Sequence, residues 1–176
     1  FNPWFLDVND LEKEDFLTNK SSIYIQDLGN CDEKVDFQLA NSKVKRLSSC
    51  LVEEWERQDL KQKLEFEGWC EKQFWLNDHS MFMELRNQNN NLPWWKWSER
   101  FAIHDHSELL KWKDENKKEL LGHNLLQWHL DRQWKLIRNL AKELGIYLFG
   151  DLPFYVSKDS ADVWSRRSLF SISSNS

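Results

Sequence analysis

Turn-forming residues are scarce in this chain: five glycines and three prolines serve 176 residues. A sandwich or barrel of short antiparallel strands needs a turn about every 8–12 residues. That supply is missing, which argues against all-β architectures and for long helices with few interruptions. The apolar pattern agrees. Phe37, Ala40, Val44, Leu47, Leu51 and Trp55 recur at steps of three and four, and Leu60 and Leu64 continue the stripe. One helix is therefore predicted over 36–66, with Asp36 placed to cap it and Gly68 to end it. A second is predicted over 69–88, with Trp75, His79, Phe82 and Arg86 on one stripe, ended by the run from Asn87 to Asn91. Ser98 is a candidate N-cap before Glu99, and Ser107 is one for a helix running through Lys118. Leu126, Leu130, Trp134, Ile137, Ala141 and Leu144 form a long stripe, and Gly145 follows where a left-handed terminal residue belongs.

One segment reads differently. Ile146-Tyr147-Leu148-Phe149 is a short apolar run suited to a buried parallel strand, and it ends at Gly150-Asp151-Leu152-Pro153. At the other end, Trp4, Phe5, Leu6 and Val8 form a brief apolar run after the Asn2-Pro3 turn signal. Leu11, Phe16 and Leu17 fit a short helix with an acidic start. The serine-rich end from Ser171 to Ser176 reads as a frayed, low-complexity tail.

Charge and composition exclude several classes. The net charge of -5, with no long Lys/Arg block, argues against nucleic-acid binding. No apolar run approaches the roughly 20 residues that span a bilayer. The start lacks the basic and apolar regions of a secretory signal, and its first residue, Phe1, marks a processed, trimmed or partial chain. Cys31, Cys50 and Cys70 are odd in number and far apart, which suits free thiols in a reducing compartment. His104 and His106 lack the partners of a metal site, and none is predicted.

The candidate chemistry gathers near the predicted strand. Asp151 stands at its carboxyl end, where open α/β sheets and β/α barrels place ligands; an acid before Pro is also good turn chemistry. Asp159, Ser160, Asp162 and Trp164 follow. They read either as sugar contacts, with the indole on a pyranose face, or as a capped helix with Trp164 in the core. Trp94, Trp95 and Trp97 read either as an aromatic platform or as pins holding a loop.

The run from Gly145 to Val156, continued by Asp159-Ser160-Ala161-Asp162-Val163-Trp164 and Leu169-Phe170, resembles the 4-alpha-glucanotransferases, the amylomaltases of glycoside hydrolase family seventy-seven. Asn2-Pro3 with Leu6-Asp7, Leu92-Pro93-Trp94 with Trp97, and Gln127-Trp128 with Arg132-Gln133-Trp134 match in order. The resemblance implies a mostly helical piece of a β/α (TIM) barrel family. Residues 1–123 would be mainly a helical insertion, 124–170 a barrel helix, strand (146–150) and active-site loop, and 171–176 a tail outside the family pattern. It implies transfer of α-1,4-glucan segments by a retaining double displacement, with no metal or organic cofactor. The nucleophile and acid/base would lie beyond Ser176, leaving no catalytic residue in this chain and making it inactive by itself. Asp151 would hold substrate hydroxyls, and Ser160, Asp162 and Trp164 would shape the adjoining substrate-binding loop. The implied partners are α-1,4-glucans and maltooligosaccharides, with no nucleic acid or membrane. The implied compartment is the cytoplasm, or the plastid stroma for a plant or algal source. The competing reading is a helical carbohydrate-binding module without catalysis.

Overall fold

The computed structural model describes residues 1–27, 34–151 and 154–172. Cys31, Leu152, Pro153 and the tail from Ser173 onward lie outside these. Regular structure among the described residues is helical throughout. In chain order the helices are α1 (Val8–Lys13), α2 (Asn19–Gln26), α3 (Phe37–Trp55), α4 (Leu60–Glu71), α5 (Leu76–Gln88), α6 (Glu99–Ala102), α7 (His106–Glu115), α8 (Lys117–Glu143) and α9 (Ala161–Ser165). Short 3-10 turns occupy Pro3–Phe5, Trp94–Lys96 and Arg167–Leu169. No helix among the described residues is long and apolar enough to cross a membrane. The chain forms two compact units. One comprises Phe1–Lys72 with Leu121–Leu148, the other Gln73–Leu120 with Phe149–Ser176.

Capping chemistry sets the helix boundaries and revises several expected ones. Asp36 caps α3 as predicted, accepting from the amides of Gln38 and Leu39 at 2.9 and 3.0 Å. The single helix expected over 36–66 is two. Asp59 accepts from the Gln62 amide at 2.7 Å, and Gln62 Oε1 accepts from the Asp59 amide at 3.2 Å. This reciprocal box satisfies two orphan donors and starts α4 afresh. Gly68 sits inside α4 and ends nothing; a Cβ there would meet no atom within 4 Å. The next helix consequently starts at Leu76 rather than 69. Asp105, not Ser107, caps α7, accepting from the Glu108 amide at 3.0 Å, and Ser107 instead donates to Asp105 at 2.8 Å. Gly145 ends α8 at φ +68°, the left-handed value that glycine adopts at no steric cost.

The predicted strand over 146–150 is not formed. These residues carry no regular secondary structure, and Tyr147 and Phe149 are fully exposed at 98% and 102%. The physical reason is that a strand exists only through hydrogen bonds to a neighbouring strand, and none is present among the described residues. An apolar run cannot make a ladder alone. The stripe on α8 divides similarly. Leu126, Leu130 and Ala141 are buried, whereas Trp134, Ile137 and Leu144 are exposed.

The unit containing the N-terminus packs around Trp128. Its ring stands edge-on to Phe16, Trp55 and Phe66 at centroid distances of 5.5, 5.9 and 5.4 Å. Leu11, Leu17, Ile25 and Leu125, each 2% exposed or less, complete this core. Gly122 lets α8 approach α3, because a Cβ there would strike Ser48 Oγ and lie 3.3 Å from Val52. Two glutamines of α8 clamp the start of the chain. Gln127 Nε2 donates to the Phe1 carbonyl at 3.0 Å. Gln133 accepts from the Asp7 amide at 3.0 Å and donates to the Asp7 carbonyl at 2.9 Å, as a strand neighbour would. Trp69 Nε1 donates to Asp131 at 2.8 Å, and Lys135 pairs with the same carboxylate at 2.6 Å. Cys50 and Cys70 are free thiols.

Two buried ionisable groups of this unit are Glu54 and His129. Glu54 accepts from the Thr18 amide and hydroxyl, both at 2.8 Å, and from Ser21 and Arg57. Burial is the largest single influence and acts to raise its pKa. The hydrogen bonds from Ser21, Thr18 and Arg57 together outweigh it, so the carboxyl titrates below its ordinary value. His129 is 1% exposed. Its Nδ1 accepts from Arg132 at 3.2 Å, which puts the proton of the neutral ring on Nε2; that atom is buried and has no hydrogen-bond partner among the described residues. Burial, aided by the nearby Arg132 charge, pushes its pKa down to about 3.

Glu54→Ala should cost about 2–3 kcal/mol in urea unfolding, since it strands the Thr18 amide and removes charge-assisted bonds. The His129 prediction concerns pH. Below the unfolded value near 6.5 the unfolded chain takes up a proton that the folded chain refuses until about pH 3. Stability should therefore fall with decreasing pH through that window, by up to about 1.4 kcal/mol per unit. His129→Gln should flatten the slope between pH 6.5 and 4.5 in denaturation midpoints. An unchanged slope would remove His129 as its cause.

Candidate functional site

The second unit is built on buried indoles whose N–H groups are all spoken for. Trp164, at 0% exposure, lies against Phe82, Trp97 and His104 at 5.9, 5.7 and 4.4 Å. Its Nε1 donates to the Phe101 carbonyl at 2.8 Å. Trp97 Nε1 donates to the Leu92 carbonyl at 2.9 Å, and Trp112 Nε1 to Gln88 at 3.1 Å. Apolar area drives these rings inward, and the hydrogen bonds select where each edge points. Met81, Leu85 and Leu109 fill the spaces between them.

The run from Leu92 to Trp97 comes off α5 through Asn90 and Asn91, both left-handed at φ +55° and +59°, which asparagine tolerates best after glycine. Trp94 and Trp97 are buried at 3% and 5%. Of the two readings for this aromatic cluster, the structure supports the pin. Trp94 Nε1 donates to the Lys158 carbonyl at 2.7 Å, and its amide donates to Asp159 Oδ1 at 3.3 Å. Arg167 lies over the Trp94 ring at 4.3 Å and donates to the Ala102 carbonyl. Lys158 lies over the half-buried Trp95 ring at 4.4 Å. The loop from 158 to 167 is thus held along its length.

Asp159 is the hinge of this arrangement. Its second oxygen pairs with Arg86 of α5 at 3.2 Å. The sequence contained both residues, but the separation of 73 positions between Arg86 and Asp159 hides the pair, and only packing joins them. Ser160 caps α9, accepting from the Val163 amide at 3.3 Å. Asp162 sits in the first turn of α9 with its side chain exposed, and Trp164 projects into the core. Asp151, in the same unit, is exposed on a segment without regular structure. The four expected residues therefore divide. Asp151 and Asp162 offer carboxylates to solvent, while Ser160 and Trp164 hold the loop that carries Asp162.

The His104-Asp105-His106 run is drawn apart. Asp105 caps α7, and His104 is left-handed at φ +59°, with its ring on Trp164 and Nε2 3.9 Å from Asp78. Burial lowers the His104 pKa despite the Asp78 charge, so the ring is neutral near pH 7. Among the described residues no three His, Cys, Asp or Glu side chains converge on a metal-sized space.

Residues 1–176 match a family model described as 4-alpha-glucanotransferase. The 4-alpha-glucanotransferase of Synechocystis sp. is 33% identical over 171 residues, covering 96% of this chain and 34% of that protein. The chloroplastic/amyloplastic 4-alpha-glucanotransferase of Oryza sativa subsp. japonica is 35% identical over 102 residues, covering 57% of this chain and 17% of that protein. Among solved structures, an amylomaltase from Streptococcus agalactiae in complex with acarbose superposes with a TM-score of 0.86 at 23% identity. That match covers 98% of this chain and 35% of the other, and it establishes a shared fold. The chain thus spans about a third of the length of the full-length proteins it matches.

Asp159→Ala should lower stability by about 1–2 kcal/mol in urea unfolding, through loss of the Arg86 pair and of the acceptor for the Trp94 amide. Arg86→Ala in that background should add less than it costs alone, because both remove one interaction. Strict additivity would show that the pair contributes nothing.

Proposed function

The chain belongs to the 4-alpha-glucanotransferase family, glycoside hydrolase family seventy-seven, and on that premise we propose that it is the helical insertion and active-site loop of an enzyme moving α-1,4-glucan segments between chains. In such an enzyme a carboxylate attacks the anomeric carbon of the donor, while a second carboxyl group protonates the departing 4-oxygen. The second group then takes the proton of the acceptor's 4-hydroxyl, which displaces the enzyme carboxylate. One α-1,4 bond is broken and one is made, with retention at the anomeric carbon. We place the nucleophile and the acid/base on parts of the enzyme outside these 176 residues.

This chain's contribution is to bind and orient. Asp151 and Asp162 are exposed carboxylates on the stretch that carries the family motif. An ionised carboxylate accepts two sugar hydroxyls through charge-assisted bonds. Ser160 and Trp164 keep the loop in place, by the cap on α9 and by the buried ring with its bond to Phe101. The carrying observation is that the loop from 158 to 167 is anchored along its length while its Asp162 stays open, with Asp151 exposed on the segment before it. The ligands are α-1,4-glucans and maltooligosaccharides. Residues 1–123 serve as the insertion and 124–170 as the barrel segment. The enzyme works without metal or organic cofactor, in the cytoplasm or, from a photosynthetic eukaryote, in the plastid stroma.

Asp151→Ala in the full-length enzyme should lower kcat/KM for maltotriose disproportionation by about 10²-fold or more, with an unchanged thermal midpoint. Wild-type kinetics would remove Asp151 from the site. The 176-residue chain alone should release no glucose from maltotriose. Glucose with longer oligosaccharides would place the chemistry within it. Saturable binding of maltoheptaose by the parent protein without transfer would favour the binding-module reading.

A further inference from the structure

A cleft of about 150 Å³ opens beside the anchored loop, in the same unit. One wall is Trp75, Asp78 and His79, at the start of α5; the other is Asp162, Ser165 and Arg166, along α9 and just beyond it. The walls are held by contacts outside the cleft. Leu76, next to Trp75, is buried, as are Val163 and Trp164, which lie between Asp162 and Ser165 in the chain. Trp75 stands edge-on to His79 at 5.6 Å. The Arg166 guanidinium lies 5.3 Å from the centre of the Phe74 ring. These contacts limit the rotamers of the groups that face the opening.

The chemistry of this lining is mixed in a specific way. A half-buried indole offers a flat apolar surface. Two carboxylates accept hydrogen bonds, a guanidinium donates them, and a hydroxyl and an imidazole do either. An organic cation would meet Arg166, and an anion would meet Asp78 and Asp162. A neutral ligand with many hydroxyls satisfies every group at once. The volume suits one small ring, well below that of a drug-sized ligand. A pyranose has the required form, with C–H faces for the indole and hydroxyls around its edge.

We propose that this cleft is an accessory subsite for a single α-glucosyl residue of a longer glucan, with Trp75 as its platform and Asp162 and Arg166 as its hydroxyl partners. The ligand class rests on the glucan reading above; the site itself rests on the cleft. Holding a glucan here gives Asp162 a binding partner of its own. It also tethers a long chain to a face supplied by α5 as well as by the family motif loop.

The test is hydrogen–deuterium exchange with maltotriose on the protein and on three variants. Protection over 75–79 and 161–166 is expected. Arg166→Ala, an exposed substitution that spares the core, should weaken binding about tenfold, the loss of one charge-assisted bond. Trp75→Ala should abolish it, and Asp151→Ala should leave it intact. Protection confined to 149–157, lost in Asp151→Ala and indifferent to Arg166→Ala, would overturn this subsite while leaving the proposed function standing. Displacement of maltotriose by spermidine from 75–79 would assign the cleft to cations and overturn it too. Absence of protection anywhere would also overturn it, and the disproportionation kinetics of Asp151→Ala would still judge the enzyme reading separately.

Discussion

A buried indole must find an acceptor for its one N–H, or the unmade hydrogen bond cancels much of the benefit of burying the ring. With 11 tryptophans, this chain meets that constraint repeatedly. Trp69 finds Asp131, Trp94 the Lys158 carbonyl, Trp97 the Leu92 carbonyl, Trp112 Gln88, and Trp164 the Phe101 carbonyl. Three of these acceptors are backbone carbonyls, and two of them, at Leu92 and Lys158, lie in loops. The rings therefore do more than fill a core. They fix the path of irregular chain that has no helix or ladder to hold it. Cation–π contacts from Lys158 and Arg167 to Trp95 and Trp94 tighten the same loop from the other side.

That division of labour connects packing to function. The loop from Lys158 to Arg167 carries an exposed acid, Asp162, yet is tied by Asp159 to Arg86 and to the Trp94 amide, and by Trp164 to the core. A binding side chain is useful in proportion to how little freedom it loses on meeting its ligand. Anchoring the backbone beforehand removes most of that loss. In the other unit the polar residues Glu54, Gln127 and Gln133 do comparable work, bonding the segments around Thr18, Phe1 and Asp7. Gln127 and Gln133 lie 126 positions from their partners, so these bonds tie the first residues to α8.

Much of this was legible beforehand. Helical spacing located α3, α5 and α8, and Asp36, Gly145 and Ser160 are the caps their chemistry suggested. The helix breaks were less legible. Gly68 has a breaker's low propensity, whereas the Asp59–Gln62 box makes the break, because capping depends on reciprocal hydrogen bonds and not on one residue's propensity. Asp105 displaced Ser107 for the same reason: neighbouring residues of similar capping ability are separated only by geometry. At the candidate site, the motif pointed to the loop from 158 to 167. It did not show which acids face solvent, nor that Trp164 is fully enclosed.

The sequence by itself determined that this is a helical chain of the 4-alpha-glucanotransferase family, since side-chain periodicity and an ordered motif are properties of the chain alone. Tertiary structure decided the rest. It paired Arg86 with Asp159, opened a cleft against α9, buried His129, and, among the described residues, left Ile146–Phe149 without a ladder. Each of these depends on which distant surfaces meet. A strand, an ion pair across 73 positions, or a cavity is a relation between segments, and no local pattern encodes its partner.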